Sequence, residues 1–436
     1  MLLVPSFAAL LQPLTCVMTA PTFANFLTIL TGWVFADRRT VTGMLVAAGV
    51  AGRRHHGIFH RFFARARWSL DDLGLAVFAL IEPFLDADAV LLGLDDTLAR
   101  KRGLKTFGVG MHHDPKISTR KTALVNWGHD WVILGVIVKL PFCDKRCFCL
   151  PILFRLYLNR KAAARHRRVY RSRPELAVQM LHKLCSAREN RRFHAIADSA
   201  YGGQSVLNHL PVNCDLTSRL LMNARVYDAP PTHRRGQVGR PRKRGRRLPT
   251  PRQMLQRRAR RVALDLYGRR ESARVADGQG RVYAAPDRPL RVVAVDPLTG
   301  GRGEQAFYST QHAATAEQVL SWYAMRWSIE VTFHDAKQHL GFEQPQGWSR
   351  RAVERTAPVA MLLYSLILLW FAKVGHRHYR PPCRPWYPHK PHASFADMLA
   401  TLKRLSIREQ VLSTGLTGRG SRKILHTINT VLHAAA

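Results

Sequence analysis

The run Tyr323-Ala-Met-Arg326-Trp-Ser-Ile-Glu330-Val-Thr-Phe-His-Asp-Ala-Lys337 carries one aromatic, two cations and one carboxylate at helical spacing. At about 100° per residue, positions 323, 326, 330 and 337 fall at about 0°, −60°, −20° and −40°, a stripe about 60° wide. Trp327, Ile329 and Phe333 leave that stripe and are expected to face a core. A mixed polar stripe of this kind suits a phosphate backbone together with a metal ion. Arginine grips phosphate through a planar fork, lysine adds a point charge, and a carboxylate offers hard oxygen. The same residues also fit a solvated helix face with an Arg326–Glu330 pair one turn apart. The helix alone leaves both readings open.

Two further carboxylates stand at telling places. Ala89-Val-Leu-Leu-Gly-Leu94 reads as a short apolar strand ending at Asp95-Asp96-Thr97, and Arg192-Phe-His-Ala-Ile-Ala197 as a strand ending at Asp198. Strand ends are where α/β sheets put their chemistry. With Glu330 on a late helix, Asp95 and Asp198 make a set of three acids that only folding can assemble. Hard divalent cations take such oxygen ligands, and a pair of ions can activate a nucleophile and stabilise the leaving oxygen of a phosphodiester. Gathering three acids costs folding energy unless a metal or basic side chains neutralise them. Any one of them alone also fits a cap or a salt bridge.

The elements that must position these groups follow from composition and pattern. The chain has 436 residues, 67 Lys+Arg against 29 Asp+Glu, and a net charge of +38. That balance points to a polyanion, most simply nucleic acid, ahead of a membrane surface. A hydrophobic fraction of 47% is that of a folded protein rather than a basic tail. Residues 1–35 are apolar but lack a basic start and are broken by Pro5, Pro13 and Pro21, so a signal peptide is not expected. Pro358–Val374 holds about 15 uncharged residues in a row, short of the roughly 20 a bilayer needs, and is expected to be a buried core helix. Seven cysteines in a chain of this length do not make a disulfide scaffold. Cys143, Cys147 and Cys149 have no following pair at zinc-finger spacing and read as small hydrophobes near a strand. A reduced cytoplasmic setting fits.

Residues 1–85 read as an N-terminal helical region. Arg53, Arg54, His55, His56, Arg61, Arg65 and Arg67 give it a basic face that suits either DNA binding or a cap on the core. Residues 86–220 carry strands and helices in α/β order: Trp131–Val138 is apolar on both faces, as a covered central strand is, and the segment from Ser172 is a helix with a serine cap and Pro174 near its start. Residues 221–312 are basic and Gly/Pro-rich at first, then β-rich, with strands at Arg291–Val295 and Gln305–Ser309. Gly239-Arg240-Pro241-Arg242-Lys243-Arg244-Gly245-Arg246 suits either an AT-hook in a minor groove or a polybasic phosphate clamp. Residues 313–375 complete the core, and 376–436 form a Pro- and His-rich linker, a short helix over Phe395–Leu412 and a tail. His112, His113 and Asp114, followed by Lys116, Arg120 and Lys121, read as a loop near DNA rather than a metal site. Asn126–Asp130 opens the next strand, with His129 and Asp130 structural.

Taken together, the motifs resemble those of the DDE transposases of bacterial insertion sequences, in the subgroup with the signature Y-(2)-R-(3)-E-(6)-K. Tyr323, Arg326, Glu330 and Lys337 fit that spacing at every position. The segment from Leu92 to Lys121 is similar to that family's first-acid region and Ala195–Gly203 to its second, over roughly residues 40 to 375. The resemblance implies an α/β fold: an RNase H-like core with an N-terminal helical domain and a β-rich basic insertion between the second and third acids. It implies Asp95, Asp198 and Glu330 as Mg²⁺ ligands, with Mn²⁺ as a substitute. Asp96 competes for the first position, but the family's acid lies two residues before a Thr or Ser, as Asp95 precedes Thr97. Tyr323, Arg326 and Lys337 are implied to hold phosphates near the transposon end. The implied reaction is cut-and-paste transposition: water attacks the phosphodiester at the element's end, and the freed 3′-hydroxyl attacks a further phosphodiester, without a covalent enzyme intermediate. Double-stranded DNA is the expected partner, a homodimer is expected when two ends are cut together, no membrane is expected, and the nucleoid of a bacterial cytoplasm is the expected place. The alternative is an inactive or domesticated descendant that only binds DNA.

Overall fold

The computed structural model describes residues 3–413 except 87, 115–116, 120, 233–239, 241, 243, 267–268, 299–302, 382–389 and 391, with only scattered residues beyond. Five helices come first: α1 (Pro5–Leu11), α2 (Ala20–Phe35), α3 (Val41–Ala47), α4 (Gly57–Ala64) and α5 (Leu70–Ile81). Thr40 and Ser69 cap α3 and α5 by accepting backbone N–H groups that the first turn leaves unpaired. The strands β1 (Val90–Arg100), β2 (Gly110–His113), β3 (Val125–Leu140) and β4 (Cys143–Tyr157) follow. After α6 (Arg160–Arg165) and α7 (Arg173–Ala187) come β5 (Phe193–Ala197), α8 (Gln204–Leu207) and β6 (Cys214–Leu220).

The expected helix after Ser172 is α7, and its start is a full capping box: Ser172 accepts from the Glu175 backbone while Glu175 reaches back to Ser172. The expected strand Trp131–Val138 is the middle of the longer β3. The strand expected to stop at Leu94 instead runs on to Arg100, so Asp95 and Asp96 lie within β1 rather than after it. Pairing with β3 holds them there, from Leu92 opposite Val136 to Arg100 opposite Gly128. His112 and His113 lie in strand β2 rather than in a loop, and His112 and Asp114 are only 4% and 2% exposed. That segment does not present His112 or Asp114 to DNA; Lys116 and Arg120 lie outside the described residues, and Lys121 is exposed.

The sheet runs β4-β3-β1-β5-β6, antiparallel on the β3 side of β1 and parallel on the β5 side. This mixed α/β core is compatible with an RNase H-like fold. Beyond β6 the same sheet continues through β12 (Gln305–Ser309), β11 (Ala285–Pro297) and β10 (Arg269–Val282) to the short β7 (Val226–Tyr227) and β8 (Arg247–Leu248). β9 (Arg260–Leu266) pairs β10, and α9 (Pro251–Arg258) packs on β10 and β11.

The last helices are α10 (Ala316–Met325), α11 (Trp327–Leu340), α12 (Arg350–Lys373) and α13 (Phe395–Ser413). Helix α12 holds the apolar stretch from Pro358 up to Lys373 and is long and apolar enough to cross a membrane, but here it is enclosed. It packs on β4 and on α1, α4, α5, α11 and α13. The apolar opening of the chain belongs to the same core: Phe7 meets the Trp370 ring edge-on at 6.2 Å, and the Trp370 indole N–H donates to Ser6 Oγ at 3.0 Å. Cys143 and Cys149 of β4 are buried free thiols and Cys147 is partly buried, in keeping with their reading as small hydrophobes.

Candidate active site at the centre of the sheet

Strand register brings the first two acids together. β1 and β5 run parallel with Leu94 beside Ala197 as their last pair, so the next residue along each strand is an aspartate, Asp95 and Asp198. β5 ends there. Asp198 turns the chain into a short 3₁₀ turn (Ser199–Tyr201), its side chain accepting from the Ala200 N–H at 2.8 Å and its carbonyl from Ser218 Oγ at 2.7 Å.

Helix α11 supplies the rest. It lies against β1 and β4 and is fixed at two points. The Thr332 hydroxyl donates to the Cys149 carbonyl of β4 at 2.8 Å, and Lys337 Nζ donates to the Leu98 carbonyl of β1 at 2.6 Å. Arg326, at the junction of α10 and α11, then reaches the strand. Its Nη1 donates to Asp95 Oδ2 at 2.9 Å and its Nη2 to Glu330 Oε1 at 2.6 Å. One guanidinium thus bridges two of the three expected acids. The side chains of Arg326, Asp95 and Glu330 are 14%, 16% and 34% exposed, so the bridge is largely buried and solvent reaches it mainly at Glu330. Tyr323 is buried against Phe307, ring centroids 4.4 Å apart, with the Arg326 guanidinium 5.5 Å from its own ring.

Two expectations for this helix are corrected. The helical run is divided, α10 ending at Met325 and α11 starting at Trp327. Trp327 is 54% exposed, whereas Ile329 and Phe333 are buried as expected. On the helical wheel Trp327 lies about 120–160° from Ile329 and Phe333, so a core that receives those two cannot receive it.

The electrostatics follow from burial and crowding. The Asp95 carboxyl is pushed up to about 7, chiefly by burial; Arg326 opposes the shift, and Asp96 and Asp198 add to it. Burial works against the charge of Arg326 too, but Asp95, Tyr323 and Glu330 outweigh it and hold the guanidinium above its ordinary value. The site therefore draws positive charge.

Asp96 leaves β1 on the opposite face, as the alternation of a strand requires. Tyr201 donates to its Oδ1 at 2.6 Å, and Arg173 lies 3.5 Å from its Oδ2. Arg173 also donates to the buried Asp130 of β3 through Nε at 2.7 Å and through Nη2, and stacks on the Tyr157 ring at 4.4 Å. Burial and Asp130 push the Asp96 carboxyl up to about 6, against the pull of Arg173 and Tyr201. Burial lowers His112, beside Asp130, to about 4 and His129 to about 3, so both imidazoles are neutral near pH 7. No local motif marks Arg173 or Tyr201 in the sequence. Adjacent acids on a two-residue period must serve opposite faces, so Asp96 needs partners of its own.

Of the basic string at 239–246, Arg240 and Arg242 are exposed and outside any helix or strand. Arg244 lies over the Tyr283 ring at 4.1 Å and the Tyr227 ring at 5.2 Å. Lys243 lies outside the described residues. None of the three described arginines hydrogen-bonds or ion-pairs with Asp95, Asp198 or Glu330.

By its chemistry alone the donor set suits a divalent cation. It is all carboxylate oxygen, which Mg²⁺ and Mn²⁺ prefer, and it comes from separate elements. Asp95 is raised chiefly by burial, and the smaller part that Asp96 and Asp198 add is repulsion that a bound cation would relieve. Among the described residues no three His, Cys, Asp or Glu already converge at ligand spacing; between Asp95 and Glu330 the positive charge is that of Arg326.

A family model described as DDE superfamily endonuclease matches residues 13–281 of this chain. That is more than half of its length, and the chain belongs to that family. The matched segment includes Asp95 and Asp198 and stops before α11. The family implies DNA as substrate and typically uses divalent metals. No curated protein matches the chain.

Proposed function

We propose that this protein is a DNA transposase of the Y-(2)-R-(3)-E-(6)-K subgroup, cutting at the ends of an insertion sequence and joining the freed ends to target DNA. Asp95, Asp198 and Glu330 are its three acids, and Mg²⁺, or Mn²⁺ in its place, is the metal they hold. The observation that carries this reading is the Arg326 bridge between Asp95 and Glu330, with Asp198 next in register to Asp95. Residues far apart in sequence meet here as acids and cation, with a further acid next in register on the same sheet. When bound, the ions supply Lewis-acid activation of water, and then of the 3′-hydroxyl, and stabilise charge on the phosphodiester.

The chain's own residues do the rest. Asp95, Asp198 and Glu330 orient the ligand oxygens. Arg326 pairs with Asp95 and Glu330 until DNA arrives and can then turn its fork to a phosphate, for which guanidinium geometry is suited. Lys337 anchors α11 to β1 and adds positive charge on the same helix as Glu330. Tyr323 supports Arg326 from below. Arg240, Arg242, Lys243 and Arg244 add a basic clamp on the duplex, and the net charge of +38 raises its encounter rate. Catalysis is positioning and charge stabilisation, with no protein nucleophile. Two element ends must be held at once, so the working form is a homodimer.

The test is Mg²⁺-dependent cleavage of a plasmid carrying the gene with its flanking DNA, wild type against Glu330→Ala. Cuts at the element's ends by wild type, reduced about a thousandfold or more in the variant, are expected. Equal cutting by both would sink the site assignment. Tight binding to the ends without cutting by either would favour a DNA-binding descendant that has lost catalysis.

A further inference from the structure

The back of β1 bears on the front. Tyr201 has no exposed surface and sits three residues after Asp198, in the turn that Asp198 opens. Its hydroxyl reaches across to Asp96 at 2.6 Å. A closed loop results: Asp95 is bonded through the chain to Asp96, Asp96 is hydrogen-bonded to Tyr201, and the Tyr201 N–H donates to the Asp198 carbonyl at 3.2 Å. Arg173, the first residue of α7, clamps Asp96 to Asp130 on the neighbouring strand. The two front acids are therefore tied to each other from behind, at the point where the β1–β5 ladder has stopped and no backbone pairing fixes their separation.

We propose that Tyr201, Asp96 and Arg173 are positioning residues, which set the separation of Asp95 and Asp198 and so the affinity of the front site for a divalent cation. The inference rests on the reading of Asp95 and Asp198 as metal ligands. Stability alone is a poor reason for this arrangement. Asp130 is almost wholly buried, and Asp96 adds repulsion to an already crowded Asp95. Replacing buried ionic groups of this kind by apolar side chains is often neutral or stabilising. Partners behind metal ligands, in contrast, commonly change metal affinity or activity by about 10–100-fold when removed.

The experiment measures Mn²⁺ binding to the full-length protein without DNA, by electron paramagnetic resonance of the free ion and by Mn²⁺-dependent thermal shift. Wild type, Tyr201→Phe, Asp96→Asn, Asp96→Leu and Asp95→Asn are compared. Tyr201→Phe and Asp96→Leu are expected to weaken Mn²⁺ binding about 10-fold or more. Asp96→Asn, which still accepts from Tyr201, should recover most of it, and Asp95→Asn should lose it. A purely structural role would lower the metal-free Tm and leave the Mn²⁺ affinity alone. Should Tyr201→Phe not fold, Asp96→Leu against Asp96→Asn makes the same comparison. Wild-type affinity in Tyr201→Phe and Asp96→Leu, with Asp95→Asn lost, would overturn the proposal and leave the acids standing. Wild-type affinity in Asp95→Asn would overturn the acid assignment, and this inference with it.

Discussion

Asp95 and Asp96 are the same residue type, one peptide apart, in one strand, yet they live in different chemistry. The pleat sends Asp95 toward α11, where its partner is Arg326. It sends Asp96 toward α7, where Tyr201 and Arg173 meet it and the buried Asp130 backs them. The front cation comes from the junction between two helices and is shared with Glu330, a third exposed. A phosphate or a metal ion can compete for either end of it. The back cation is at the first turn of a capped helix, stacked on a tyrosine and donating to an aspartate that water hardly reaches. The difference separates exchangeable charge pairing, which suits a reaction, from fixed charge pairing, which suits a frame.

Removing the two arginines is the strongest way to break that comparison. Arg173→Met leaves Asp130 buried without its cation, and loss of one partner of a buried pair costs about 3–5 kcal/mol. Denaturant unfolding should show the midpoint falling accordingly. Arg326→Met should cost about 1 kcal/mol or less in the same assay, because Asp95, already raised to about 7, can answer by taking a proton. Similar losses in both would erase the distinction between the faces. A smaller effect sharpens it: Arg326→Lys keeps the charge and loses the fork, and cleavage should fall about 10–100-fold with stability unchanged.

How far the sequence could be read follows the same division. Local signals were legible. Ser172, Pro174 and Glu175 announce α7, the apolar run ending at Ala197 announces β5, and the uncharged stretch after Pro358 announces a core helix that the fold encloses. Where tertiary pairing overrides local preference, the reading fell short. Two aspartates and a threonine look like a strand end, since acids are poor strand formers, but the ladder to β3 carries β1 through them. The type of Trp327 suggests an inward place, but its phase on the wheel points out, and it is exposed. The spacing from Tyr323 to Lys337 showed that four polar groups share a stripe. It did not show that Arg326 would bridge Asp95 and Glu330, or that Lys337 would hold the Leu98 carbonyl. Those contacts depend on how α11 lies across the sheet, which no spacing within α11 encodes. The back network was least legible, since Asp96, Asp130, Arg173 and Tyr201 come from four segments with no common motif.

The smallest expected effect concerns pH and tests the front face alone. Asp95 has an ordinary value of 3.8 and is raised to about 7 in the folded protein. A raised acid binds its proton more tightly folded than unfolded, so its contribution favours the fold at low pH and is lost as pH rises toward 7. Asp95→Asn mimics the neutral form and still accepts from Arg326. Its Tm should match wild type near pH 4, exceed it by an amount that grows toward pH 7, and hold a plateau of roughly 2–5 °C above that. Mg²⁺ should stabilise wild type at pH 8 and close the gap, because a cation bound by Asp95 favours the ionised carboxylate that the metal-free fold disfavours. A gap that instead widened toward acid pH would mean that Arg326 outweighs burial and holds Asp95 ionised. The front face would then be as fixed as the back, and the contrast between the two aspartates would have to rest on exposure alone.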